Sequence, residues 1–345
     1  MKAQKRMYLG TDLGVEVLEE HDGRWLPERR TLEGRRAVSL VASNELGIVY
    51  AGVSYHGVFR SKDSGQSWEQ VLEADVRSLA FDPSDPAVAY AGTEPVHLYR
   101  TADGGDSWTE LEGLQRVPEP VQEKWWFPIY PHDSHVLSVY VSSHDSRQVY
   151  VGLEHGGILR TDDGGDTWED VSAGIEYLDI HMVGGDPARQ NLVYAATARG
   201  FYRSKDYGRG WILSDRGLAR DYMHDFVVHP GPRSTLFMTT ANGTPPNWTR
   251  DSRAQSALFR SDDEGASWHM LGGGLPPAMK RMIWNVAGDP LDQDRLYACA
   301  GDYPDSMPRG AVLGGEVWIS PDRGGTWQQL HEVETPIHKV CPSLA

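Results

Sequence analysis

Six copies of one short string run through this chain and confine it to a repeat architecture. "SKDSGQSW" ends at Trp68, "TADGGDSW" at Trp108, "TDDGGDTW" at Trp168, "SKDYGRGW" at Trp211, "SDDEGASW" at Trp268 and "SPDRGGTW" at Trp327. All fit Ser/Thr-x-Asp-x-Gly-x-x-Trp. Successive tryptophans lie 40, 60, 43, 57 and 59 residues apart, which reads as a unit of about 40 residues with insertions in some copies, the length of a four-stranded propeller blade.

Composition fits one well-buried body. A chain of 345 residues with 39% hydrophobic residues, 12 Trp and 37 Gly can bury a large core, and its length alone would suggest two domains. The repeat argues instead for one domain over residues 1–345. A net charge of −16 sets nucleic acid aside as a partner, because such binding needs Lys and Arg to neutralise phosphates. No segment has the apolar length of a membrane span, and the start "MKAQKRMYLGTDLG" has no apolar core of signal-peptide length. Cys299 and Cys341 are too few for a disulfide framework. A cytoplasmic location without membrane attachment is the resulting expectation.

The unit is clearest between Val76 and Leu114. Alternating and apolar runs give four strands, "VRSLAF", "AVAYAGT", "HLYRTA" and "SWTELE", here called A to D from the axis outward. Turn residues separate them: Asp-Pro-Ser-Asp-Pro after A, and Asp103-Gly-Gly after C. The N-terminal "RMYLGTDLGVEVLEEHDGRWLPE" matches B, C and D only, with Asp22-Gly23-Arg24-Trp25 as a shortened box, and the C-terminal "TPIHKVCPSLA" matches a lone A. Together, residues of about 7–32 and 335–345 complete a blade from both chain ends, so the ring closes without a free blade edge. The predicted fold is an all-β, seven-bladed propeller of four-stranded antiparallel blades.

The recurring string resembles the Asp-box, or BNR, repeat of sialidases, xyloglucanase-type glycosidases, sortilin-like receptor domains and a photosystem II assembly factor. That resemblance implies the propeller fold and is poorly specific for function, since function resides in sites carried by a fold. The box itself reads as scaffold: the Asp accepts hydrogen bonds from its own turn, the Gly takes positive φ, and the Trp packs between blades.

Antiparallel order assigns the faces. With A running from top to bottom, the six boxes are C–D turns on the bottom, while B–C and D–A connections lie on top. Three insertions fall on top: "QRVPEPVQEKWWFPIYPHDSH" as a D–A connection, and "NGTPPNWTRDSRAQSA" and "GDYPDSMPRGAVLGG" as B–C connections. Long ordered loops on a rigid scaffold are where binding resides. Histidine points the same way. Aligning the A strands puts His181, His224 and His338 in one column with Val38, Arg77, Leu137 and Trp284; His135 lies two places earlier in its blade, and His56 and His155 sit in B–C loops. Six of the 13 His therefore fall on one rim.

His135, His181, His224 and His338 are the candidate ligands of a divalent transition metal, Fe, Zn, Cu or Mn, because neutral imidazole is the commonest ligand for such ions. The layout resembles the four-His iron of carotenoid-cleaving oxygenases in arrangement only. Glu94, Glu154 and Asp12, at the ends of B strands, are candidates for further metal ligands, for groups that orient the imidazoles, or for the general base. Candidate substrate contacts are Trp125, Trp126, Tyr130 and Trp284 as stacking surfaces, with His56, His155 and Arg77; Arg220 and Arg281 are further candidates for clamping a carboxylate. A sialidase fits badly, for no Arg-Ile-Pro motif occurs, and xyloglucanase-type enzymes use two such propellers where this chain has one. The expected function is a metal-dependent enzyme acting at the top of the channel on a small or carbohydrate-like ligand. The alternatives are a non-catalytic binding or assembly propeller and a metal-free glycosidase or lyase.

Overall fold

Why a repeat of this kind closes into a ring is visible in the second strand of each blade. The sequence keeps an aromatic residue there, and Tyr8, Tyr50, Tyr90, Tyr150, Tyr194, Phe237 and Tyr297 are all fully buried. Two residues further on, several blades place Gly10, Gly52, Gly92 and Gly152, where an added Cβ would lie 2.7 Å from Ala37 O, 2.9 Å from Val76, 2.5 Å from Val136 and 2.8 Å from Ile180. Each of those partners belongs to the inner strand of the next blade. The large ring fills the wedge between blades and the glycine lets them approach, so each core joins neighbours: Tyr8, Val15 and Val17 pack with Leu40, Val49 and Phe59.

The computed structural model describes residues 5–229, 234–248, 253–304, 307 and 310–344. Among them, seven four-stranded antiparallel sheets form the ring. Blade 1 is the seam, with A at Ile337–Leu344, B at Lys5–Thr11, C at Gly14–His21 and D at Arg24–Thr31. The C-terminal strand pairs with Lys5–Thr11 from Leu344 to Ile337, the closure expected from the chain ends. Blade 2 runs Ala37–Ser43, Ile48–Val53, Gly57–Ser61 and Glu69–Leu72. Inner strands Asp75–Phe81, His135–Val141, Ile180–Asp186, Tyr222–His229 and Met282–Gly288 open blades 3 to 7.

Two details differ from the sequence reading. The outer strands of blades 3 to 6 shrink to two residues each, such as Thr109–Glu110 and Glu169–Asp170, because an outermost strand has a pairing partner on one side only. The shortened box of blade 1 is a plain two-residue hairpin: His21 pairs with Arg24, and Asp22 and Gly23 have φ of 51° and 80°. Trp25 still packs on the neighbouring blade, edge to Tyr297 at 6.1 Å.

The six boxes are scaffold. In the third, Asp163 Oδ1 accepts from Thr161 Oγ1 at 2.7 Å and Thr167 N at 3.0 Å, while Oδ2 accepts from Thr167 Oγ1 at 2.6 Å. Asp63, Asp103, Asp263 and Asp322 repeat this clip. Asp206 has the first two bonds, from Ser204 Oγ and Gly210 N, and lacks the third because glycine replaces the hydroxyl residue. Some of the tryptophans then tie blade to blade, with Trp211 Nε1 donating to Val171 O and Trp268 Nε1 to Ser214 O, while Trp168 and Trp327 donate within their own boxes.

Candidate functional site at the channel mouth

One irregularity recurs at the top of the inner strands. In six blades a residue is skipped in the A–B pairing: Val38, Arg77, Leu137, His181, Trp284 and His338. In blade 6 the skipped stretch is His224–Asp225. These are the members of the column aligned from the sequence. A β-bulge of this kind re-aims a side chain out of the pleat, and all seven column residues line the same cavity at the mouth of the channel.

That cavity has a volume of about 420 Å³. Its floor is the bulge collar. Its walls come from the loops on the top face: Phe127, Pro128 and Ile129 from the D–A insertion, Tyr177 before blade 5, Thr244 and Pro245 from one B–C insertion, and Asp302 and Tyr303 from the other. Aromatic rings continue behind them. Trp248 stands edge-on to Tyr222 at 5.7 Å and to Tyr303 at 5.5 Å, and Trp284 lies 5.0 Å from His224.

One corner of the cavity is polar. Ligand atoms of Glu154, Asp179 and His181 all lie within 4.8 Å of one another, the one such group of three or more among the described residues. His181 Nδ1 donates to Met223 O at 2.6 Å, in the inner strand of the next blade, which turns Nε2 toward Asp179 Oδ1 at 3.5 Å. His224 is tied the same way, Nδ1 to Trp284 O at 2.8 Å. Burial, with the neighbouring His181, lowers its pKa to about 3, so the ring is neutral. Ring closure thus sets the tautomer of both imidazoles.

The two carboxylates are held differently. Glu154 Oε2 accepts from His135 Nε2 at 2.5 Å. Burial alone would raise its pKa, but His135, then His181 and His155, outweigh that and keep it ionised. Asp179, 8% exposed, is raised first by burial, with Glu154 adding to it. Its Oδ1 is buried without a hydrogen-bond partner, and Oδ2 lies 3.5 Å from His155 Nε2. The Tyr222 phenol, its ring tilted 49° to that of His181 with centroids 4.6 Å apart, is pushed up by burial and then by the same two carboxylates, so it keeps its proton.

The sequence-derived candidates are distributed around this corner. His135, His181, His224 and His338 all line the cavity, as do Arg77, His155, Glu154 and Trp284. The all-imidazole ligand set is not what the geometry assembles: His338 Nε2 binds Asp12 Oδ1 at 2.7 Å, and His135 serves Glu154. Glu94 and Asp12 stand behind the lining as ion-pair partners, Glu94 to Arg77 at 2.5 Å and Asp12 to Arg36 at 3.0 Å. Trp125, Trp126 and Tyr130 point away from the cavity. Trp125 packs against the blade 4 core, Trp126 stacks on His132, and Tyr130 is 85% exposed; Phe127 takes the expected wall position, edge-on to His135 and His155. His56 turns its Nδ1 to Ser54 O instead. Arg220 donates to backbone carbonyls of Gln255 and Ala219, and Arg281 pairs with Asp302, Glu316 and Glu332.

Asp179 and Tyr222 were missed. Each lies two places before the column residue of its blade, the position that His135 occupies in blade 4. Reading that second row around the ring would have found both.

Comparison with known proteins supports the architecture. A family model described as Sortilin-Vps10, neurotensin receptor 3, matches residues 56–197, under half of the chain. No curated protein sequence matches. Among solved structures, a GH74 enzyme of Niastella koreensis is similar at a TM-score of 0.65 and 18% identity, over 85% of this chain and 45% of that one. The GH74 xyloglucanase of Xanthomonas campestris is similar at 0.61 and 19%, over 86% and 45%. YCF48 from Cyanidioschyzon merolae is similar at 0.56 and 15%, over 88% and 97%. The chain therefore spans less than half the length of the GH74 proteins and nearly all of YCF48. At these identities the likeness is one of fold. Its ring closed by both chain ends and these neighbours together show a seven-bladed β-propeller, six of whose blades carry the recurring box.

Proposed function

We propose that this propeller is a metal-dependent enzyme whose ion sits against Glu154, Asp179 and His181 at the mouth of the channel. The observation that carries the reading is the buried Asp179 Oδ1, which has no hydrogen-bond partner and lies among two further ligand atoms within 4.8 Å. Buried polar atoms are nearly always paired, and two adjacent carboxylates need a positive charge between them. His181 meets the usual requirement of a ligating imidazole, its other nitrogen being fixed by a backbone carbonyl. A set of one nitrogen and two oxygens suits Mn, Fe or Zn better than Cu.

A bound divalent ion would polarise a substrate oxygen or activate water there. The protein's own groups do the rest. His135 and His155 orient the two carboxylates, Tyr222 offers a phenolic proton beside them, and Phe127, Tyr177 and Trp284 form walls for a flat or sugar-like ring. Elemental analysis of the purified protein tests this. About one equivalent of a transition metal is expected, lost in Asp179→Asn and His181→Ala. Substoichiometric metal under several growth and reconstitution conditions overturns it.

A second reading has its own observation. Tyr55, Trp126 and Tyr130 on the top rim are 77%, 56% and 85% exposed, which suits a surface that docks a partner. One structural neighbour is YCF48 bound to a D1 peptide, matched at a TM-score of 0.54. Under that reading the protein binds without catalysis, and replacing these three rings abolishes binding while the mouth residues are dispensable.

A further inference from the structure

Below the bulge collar the channel opens into a second chamber of about 140 Å³, which shares the collar residues, His181 among them, with the mouth. Its wall is formed by the residues that follow the collar in each inner strand. Most of these clip one blade to the next. Ser78 Oγ donates to Val136 O at 2.7 Å, Ser138 Oγ accepts from Val183 N at 3.0 Å, Asp225 Oδ2 accepts from Val286 N at 3.1 Å, and Asn285 Oδ1 accepts from Val340 N at 3.1 Å.

The pattern breaks at the apolar Met182 of blade 5 and at two adjacent polar positions, in the seam blade and the one after it. Lys339 of blade 1 and Ser39 of blade 2 line the chamber, yet neither side chain has a hydrogen bond or ion pair among the described residues. Ser39 is only 6% exposed. In blade 3, next along the same arc, Arg77 also lines the chamber and its Nε is buried without a partner. Three neighbouring blades therefore present an ammonium, a hydroxyl and the Nε–H of a guanidinium whose other end pairs with Asp75 and Glu94, with no protein acceptor for these three among the described residues. The one acidic residue in the lining, Asp225, stands on the opposite arc, where its Oδ2 is taken by Asn285 Nδ2 and Val286 N.

We propose that this chamber binds a small inorganic anion of halide size, held by Lys339 Nζ and Ser39 Oγ with Arg77 Nε at its edge. In a partly desolvated channel a charge-assisted donor is stronger than in water, and a compact anion satisfies donors that three blades leave open. The proposal is independent of the ion at the mouth.

Bromide is the probe. Crystals soaked in bromide should show an anomalous peak in the chamber beside Lys339. In solution the thermal midpoint should rise with chloride at constant ionic strength, with gluconate as the balancing anion, because a ligand of the native state stabilises it. Lys339→Met should lose the peak and weaken the chloride dependence at least tenfold, and Ser39→Ala should weaken it less. Metal content should stay unchanged in both, which keeps this test apart from that of the mouth. A chamber containing water only, or a chloride dependence unaltered in Lys339→Met, overturns the proposal. Should Lys339→Met fail to fold, the bromide peak in the wild type and its weakening in Ser39→Ala decide the matter.

Discussion

The two faces of the ring both carry carboxylates, and they treat them in opposite ways. On the bottom, Asp163 and its equivalents other than Asp206 accept hydrogen bonds on both oxygens from within their own turn. On top, Asp179 has a buried oxygen with no hydrogen-bond partner, beside a second carboxylate and an imidazole nitrogen. A carboxylate satisfied by its own turn is a clip. One left unsatisfied in a buried corner waits for a ligand or a proton. The residue type is the same, and the difference is whether local backbone meets its needs.

The largest expected effect breaks the comparison at the top. Asp179→Asn should lower metal affinity at least about a hundredfold while leaving the unfolding midpoint near that of the wild type, because it removes the charge of a ligand whose Oδ1 makes no hydrogen bond within the fold. Metal content by mass spectrometry and urea unfolding check it. A large loss of stability with metal retained would make Asp179 another clip.

Acid should act next, and on the bottom. Hydrogen bonds from the turn hold Asp103, Asp163, Asp206 and Asp322 below the ordinary carboxylate range; at Asp63 and Asp263 burial opposes those bonds and is outweighed. With native pKa values depressed, the unfolded chain binds protons first as pH falls. The contribution of the clips is then fully present above the ordinary carboxylate pKa and is lost as pH drops through the native values. Urea midpoints should be flat from pH 7 to about 5 and fall below about 4. A curve flat to pH 3 would remove the clips from the stability of the ring.

Single clips should matter less. Asp163→Ala should cost about 1 kcal/mol, discounted for its exposure, and leave metal content unchanged. The smallest effect adds a bond. Gly210 is the glycine that replaces the hydroxyl residue of the other boxes, and a Cβ there would lie 3.3 Å from Asp206 Oδ2. Gly210→Ser should therefore complete the clip and stabilise by about 0.5 kcal/mol, read as a raised urea midpoint. No gain would mean that the third bond contributes little in any box.

Much of this was legible before the structure. The six boxes and the split seventh blade follow from local chemistry: a turn that needs Asp and Gly announces itself in sequence, and strand alternation follows from a period of two. The histidine column was legible for the same reason, since repeats align by count. Which of these side chains share the polar corner was not. His135 and His338 look like His181 in sequence, yet each binds a carboxylate that reaches it from the neighbouring strand, Glu154 in one case and Asp12 in the other. The aromatic insertion was legible as a wall of the mouth, but not which ring faces inward. That depends on how "WWFPIY" folds onto blade 4, where Trp125 packs down and Phe127 turns to the cavity.

By itself, then, the sequence determined the repeat, the number of blades, the face on which each turn lies and the row of residues that reaches the axis, because all of these depend on residues close in the chain. Only the tertiary structure decided which polar groups find partners. Bulges in the inner strands aim the column inward, and carbonyls of the next blade fix the tautomers of His181 and His224. The same ring closure leaves Asp179 Oδ1 at the mouth without a hydrogen-bond partner, and Lys339 in the chamber below without one among the described residues. Hydrogen-bond satisfaction is a property of three-dimensional neighbours, and in a ring those neighbours come from blades distant in sequence.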